Sequence, residues 1–82
     1  MLSIDYKKGF LKVISKIKNQ ADKVKIKKLV EKILQNPEIG KPMMYGRKGT
    51  REVYVAPYRL AYSYNPSENK IIFLDIYHKD EQ

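Results

Sequence analysis

At 82 residues the chain can build one domain with a modest core and no second one. It has no cysteine and a single histidine, His78, which excludes disulfides, thiolate metal sites and a histidine-rich metal centre, so neither a metal nor a cofactor is expected. A net charge of +8, built from 14 lysines and three arginines against nine acidic residues, points to nucleic acid or an acidic protein as partner.

Taken in order, Leu2, Ile4 and Tyr6 alternate with Ser3 and Asp5, a period of two that predicts a short strand over 1–6. From Lys7 the period changes. Phe10, Val13, Ile14 and Ile17 fall at helical spacing, with Lys12, Lys16 and Lys18 between them, and predict an amphipathic helix of about three turns. Asn19 is placed to cap a second helix, with Asp22 in its first turn. Ile26, Leu29, Val30, Ile33 and Leu34 form the apolar stripe of that helix, and lysines cover much of the rest. Asn36-Pro37 ends it, because a residue before proline disfavours the helical region. Two helices so closely joined predict an antiparallel hairpin.

Met43-Met44-Tyr45 is predicted as an edge strand and Gly46-Arg47-Lys48-Gly49 as a basic turn. Residues 50–64 then read as two strands meeting at Ala56-Pro57, since proline cannot donate to a ladder. Beyond Pro57, alternate positions give Tyr58, Leu60, Tyr62 and Tyr64 to a core face and Arg59, Ala61 and Ser63 to the other. Residues 65–69 are a turn by composition, and 70–77 make the last and most apolar strand. The order predicts a single α+β domain over 1–82: an N-terminal strand, a two-helix hairpin, then a three- to four-stranded antiparallel sheet packed on the helices. Helices cover one sheet face and leave the other open for a ligand. No apolar run is long enough to span a membrane and no signal-peptide block opens the chain, so a cytoplasmic protein without membrane contact is expected.

Three features bear on chemistry. Arg47, Lys48, Arg51 and Arg59 lie on one turn and two adjacent strands, with Tyr54 and Tyr58 close by in sequence, and Lys79 follows the last strand. Cations beside aromatic rings suit single-stranded RNA, through phosphate contacts and base stacking. Arg59 has two readings: its planar fork grips a phosphate, or it pairs with a carboxylate on the next strand. His78 is the one side chain whose unperturbed pKa is near neutral, hence the candidate acid or base, although regular alternation places it on the apolar face unless the strand ends or bulges first. Asp75 interrupts an apolar run, where a lone carboxylate calls for a neighbouring Arg59 or lysine.

The combination of these stretches, in this order, resembles the RelE/ParE superfamily of type II toxin–antitoxin toxins. The stretches are Ile4-Asp5-Tyr6-Lys7-Lys8 leading into a helix with Phe10, then 51–62 with its Arg51-Glu52 strand turning into Tyr58-Arg59-Leu60-Ala61-Tyr62, then 71–79 with His78 at its end. The resemblance implies a metal-independent endoribonuclease that cuts mRNA on the ribosome through the substrate's own 2′-OH, and a cognate antitoxin that neutralises it. It assigns Arg59 to the phosphate and His78 to acid or base catalysis, and places Arg51, Tyr54 and Lys48 near the family's basic strand. Where RelE proper carries lysines on that strand, this chain has Glu52 and Tyr54.

A non-catalytic member of the same fold, either a ParE-like gyrase inhibitor or an RNA-binding remnant, is the alternative. His78 close to Arg59 in an open basic cleft favours the nuclease. His78 turned toward the core, or Arg59 held by Asp75 or Glu52, favours the alternative.

Overall fold

The computed structural model describes residues 2–42 and 49–78. The predicted edge strand at Met43-Met44-Tyr45, and Arg47, Lys48 and Lys79, lie outside them. Strand β1 (Ser3–Tyr6) leads into helix α1 (Lys8–Lys16) and helix α2 (Gln20–Gln35). Then come β2 (Lys41–Pro42), β3 (Thr50–Val55), β4 (Tyr58–Asn65) and β5 (Lys70–His78). The five strands form one sheet in the order β1-β5-β4-β3-β2. All neighbours are antiparallel except β1, which runs parallel to β5 and joins the sheet made by the strands that follow the helices.

Helix α2 starts where its cap chemistry places it. The Asn19 Oδ1 accepts from the backbone N–H groups of Ala21 and Asp22 at 2.8 and 3.2 Å, satisfying two otherwise unpaired donors. Ile26, Leu29 and Ile33 from its stripe are buried, while Val30 and Leu34 pack at the edge of the core. They meet Phe10 and Ile17 from the first helix and its exit, and Leu60, Tyr62, Ile71, Phe73 and Ile76 from the sheet. Phe73 sits among Tyr6, Phe10 and Tyr62, with ring centroids 5.3, 5.4 and 6.3 Å away.

The last strand does not alternate evenly. Ala61 pairs with Asp75 and Tyr62 with Phe73, so Leu74 is an extra residue, a β-bulge. The bulge lets Ile71, Phe73 and Ile76 all face the helices. It also answers the expectation for Asp75: the residue is exposed, and its Oδ1 accepts from the Ile76 N–H at 2.9 Å rather than from an arginine or lysine.

Tyr62 ties the chain leaving α2 to the sheet. Its hydroxyl donates to the Pro37 carbonyl at 2.8 Å and accepts from the Gly40 N–H at 2.9 Å. Burial holds the Tyr62 phenol above its ordinary pKa, against the opposing pull of the Gly40 hydrogen bond and the Arg51 charge. Gly40 is required by this approach, since a Cβ there would stand 2.8 Å from the Tyr62 hydroxyl. Arg51 completes the tie by donating to the carbonyls of Glu38 and Gly40 at 3.0 and 2.7 Å. Tyr62→Phe leaves a buried N–H unpaired, so it should destabilise the domain by about 1–3 kcal/mol. The check is a thermal melt, which should fall by roughly 4–8 °C per kcal/mol for a domain of this size. An unchanged midpoint would remove this role.

Candidate functional site

The register of the hairpin decides which side chains meet. Val55 pairs with Tyr58 across the Ala56-Pro57 turn, so Tyr54 stands opposite Arg59 and Glu52 opposite Ala61. On the far side of β4, Arg59 stands opposite Tyr77. Lys41 on β2 faces Glu52. These residues alternate with the helix-facing ones, so Lys41, Glu52, Tyr54, Arg59 and Tyr77 share the uncovered face of the sheet.

They converge over Ala61, whose methyl group leaves a low floor between longer neighbours. The Arg59 guanidinium donates to Glu52 Oε1 at 3.3 Å, and the Tyr77 hydroxyl donates to Glu52 Oε2 at 2.7 Å. One carboxylate thus engages a cation on β4 and a phenol on β5. A cavity of about 440 Å³ opens beside them, lined by Ile39, Lys41, Glu52, Val53, Tyr54 and Arg59. Tyr54 is 54 % exposed, with its ring turned to solvent at the cavity wall. A larger, mostly apolar cavity of about 590 Å³ lies on the opposite side, between the two helices, with Lys23, Lys27 and Glu31 among its lining residues.

Of the described residues expected to act together, the structure unites Arg59 and Tyr54 and sets His78, Tyr58 and Arg51 apart from them. His78 pairs in register with Tyr58, on the helix side of the sheet, and its ring meets the Tyr58 ring edge-on at 5.6 Å. There it lines a separate hollow with Lys16, Lys18 and Asn19. The bulge that was needed to bring His78 round is present, but it falls at Leu74 and restores Ile76 and His78 to the core side. The joint Arg59–His78 site therefore does not form. Tyr58 also faces the helices, its hydroxyl 3.4 Å from Asp22 Oδ2, and Arg51 is engaged by the loop carbonyls. Neither joins the open face.

Sequence reasoning left Lys41 and Tyr77 out of the site and gave Glu52 only a pairing role. The two-residue turn at Ala56-Pro57 was a usable signal for Glu52 and Tyr54, because it fixes which residues oppose Arg59. No comparable signal marked Lys41, which reaches the face on β2, whose described part is Lys41–Pro42. Among the described residues no cluster of histidines or acidic residues has the arrangement of a metal site, and no helix is long and apolar enough to cross a membrane.

The family described as the ParE toxin of the type II toxin-antitoxin system, parDE, matches residues 4–82. The chain belongs to the ParE toxin family. A comparison with curated proteins finds no match. Solved structures carry the same fold. The isolated E. coli RelE toxin superposes on this ParE-family toxin with a TM-score of 0.79 at 18 % identity, covering 95 % of this chain and 84 % of its own. A YoeB/ParE toxin from Agrobacterium tumefaciens gives a TM-score of 0.80 at 13 % identity, with 94 % and 98 % covered. The archaeal RelE–RelB complex from Pyrococcus horikoshii gives 0.76 at 15 % identity, with 99 % and 98 % covered. The ParE-family toxin is thus a type II toxin with the RelE-like sheet, and its open face holds a glutamate and tyrosines around one arginine.

Proposed function

We propose that this toxin is a metal-independent endoribonuclease that cuts mRNA on the ribosome, with Arg59 as its phosphate-binding cation. The observation that carries the reading is the open-face cavity, where Arg59, Lys41, Glu52 and Tyr54 line a space of about 440 Å³. Cations there meet the charge of a scissile phosphate, and the Tyr54 ring offers a surface for a base. The Glu52–Arg59 pair is no obstacle to this. Arg59 and Glu52 are 34 % and 23 % exposed, and exposed pairs of this kind are worth roughly 0–1 kcal/mol, so a phosphate displaces the carboxylate at small cost.

Lysines exposed on both helices, among them Lys12, Lys25 and Lys28, supply attraction for ribosomal RNA phosphates. Relatives of this fold are known in complex with the antitoxin RelB, which supports a cognate antitoxin as partner here, with acidic or amphipathic helical character to match the basic surface. Such a toxin works in the cytoplasm.

A second reading keeps the fold and drops the chemistry: a gyrase-type target. It is favoured by the placement of His78 away from Arg59, by the contact of Arg59 with Glu52, and by the ParE family match. Induced expression with primer extension on a translated reporter mRNA separates the two. Discrete cuts on translated message support the nuclease; growth arrest without cuts supports the second reading. Because His78 lies on the covered side, His78→Ala should cut within about threefold of wild type, against the 10²–10⁴-fold losses that follow removal of a general acid or base. A loss on that scale would return His78 to the site.

A further inference from the structure

We infer that Glu52 is the general base that activates the 2′-OH, an assignment that rests on the nuclease reading. The cleavage needs a proton acceptor beside the phosphate-binding cation. Among the described residues, Glu52 is the carboxylate lining the Arg59 cavity, and its two oxygens are held in different ways. Oε2 accepts from the Tyr77 hydroxyl at 2.7 Å, which fixes the plane of the carboxylate. Oε1 lies 3.3 Å from Arg59 Nη1, a long and partly exposed contact. When a phosphate takes the guanidinium, Oε1 is the oxygen released. It then stands beside the guanidinium that holds the phosphate, free to accept a proton from the adjacent 2′-OH.

The reaction balances within this cluster. Glu52 takes the proton of the 2′-OH, and the 2′ oxygen forms a bond to phosphorus while Arg59 neutralises the growing charge. The bond from phosphorus to the 5′ oxygen breaks, and its electron pair leaves with that oxygen. The Lys41 ammonium, opposite Glu52 in register and lining the same cavity, gives the leaving oxygen its proton. Proton return from Glu52 to Lys41 through water restores both. The products are a 2′,3′-cyclic phosphate and a 5′-hydroxyl end. Tyr77 acts as a positioning residue, through Glu52. Among the described residues, the titratable and charged groups that face Glu52 are Lys41 from β2, Tyr54 from its own strand, Arg59 from β4 and Tyr77 from β5, with Asp75 on the same row beyond Ala61.

The test is single-turnover cleavage of mRNA on programmed ribosomes by wild type, Glu52→Gln and Glu52→Asp, with binding measured on mRNA carrying a 2′-deoxy sugar at the cut site. Glu52→Gln should cut 10²–10⁴-fold more slowly, bind the deoxy message at least as tightly, and lose the acid limb of the wild-type pH–rate profile. Glu52→Asp should keep that limb at reduced rate. Both variants lie on an uncovered face, and their thermal midpoints show whether the fold is kept. A Glu52→Gln enzyme that cuts as fast as wild type, or faster, would overturn the base and make Glu52 a restraint on Arg59, with the nuclease reading intact. Wild-type protein that leaves message uncut on the ribosome would instead remove the nuclease reading, and the base with it.

Discussion

On the nuclease reading, Arg59→Ala should abolish growth arrest and slow mRNA cleavage by roughly 10²–10³-fold, the usual effect of deleting one donor from an oxyanion-stabilising site, while the protein stays folded. The separation of the two effects follows from where Arg59 sits. It stands on the uncovered sheet face, a third exposed, and it makes a 3.3 Å contact to a partly exposed carboxylate. Loss of such a contact changes stability by less than about 1 kcal/mol. Its neighbours Leu60 and Tyr62, by contrast, are fully buried on the other face. Expression of the variant with a melting curve alongside the toxicity assay checks both halves. Wild-type toxicity in the variant would show that the open face is not where this protein acts. Arg59→Lys should recover only part of the activity, because a lysine offers a point charge in place of a two-pronged fork.

Phe73→Ala should be the most damaging single change in the core, by about 3–5 kcal/mol. Phe73 is fully buried on the strand next to β1 and holds together three rings from three elements, Tyr6, Phe10 and Tyr62. Truncation removes the ring and leaves a cavity that the aromatic neighbours cannot fill without leaving their rotamers. A domain of this length has a total stability of roughly 4–12 kcal/mol, so the variant would be partly unfolded at physiological temperature. Urea unfolding followed by circular dichroism gives the measurement, and Phe73→Leu should keep most of the lost stability. A midpoint for Phe73→Ala equal to that of wild type would mean that the ring cluster is dispensable.

The elements with strong period were legible in the sequence. Asn19 capping α2, the stripe through Ile26, Leu29 and Ile33, and the division of β4 into Leu60/Tyr62 and Arg59/Ala61 faces all stand as read. What the chain order hid is long-range. Nothing in Ile4 or Tyr6 announces a parallel pairing with β5 across more than sixty residues, because a strand's own pattern carries its faces but not its neighbour. The bulge at Leu74 was hidden for the same reason: it is defined by the partner strand, and without it Ile71, Phe73 and Ile76 do not fall on one face. The site followed suit. Arg59 was visible as a lone guanidinium among small residues, and its partners Glu52 and Tyr77 emerge only when three strands are laid side by side.

The pairing of β1 with β5 ties the first strand of the chain to the last. Until Lys70–His78 has been made, β1 has no neighbour, the sheet lacks its second strand, and Phe10 and Tyr62 have no Phe73 between them. Synthesis proceeds at about 5–20 residues per second, so nearly the whole chain is exposed before its core can close. The sheet of the nascent toxin can therefore close only late in its own synthesis, and a message broken upstream of the Lys70 codon encodes no β5 to complete it.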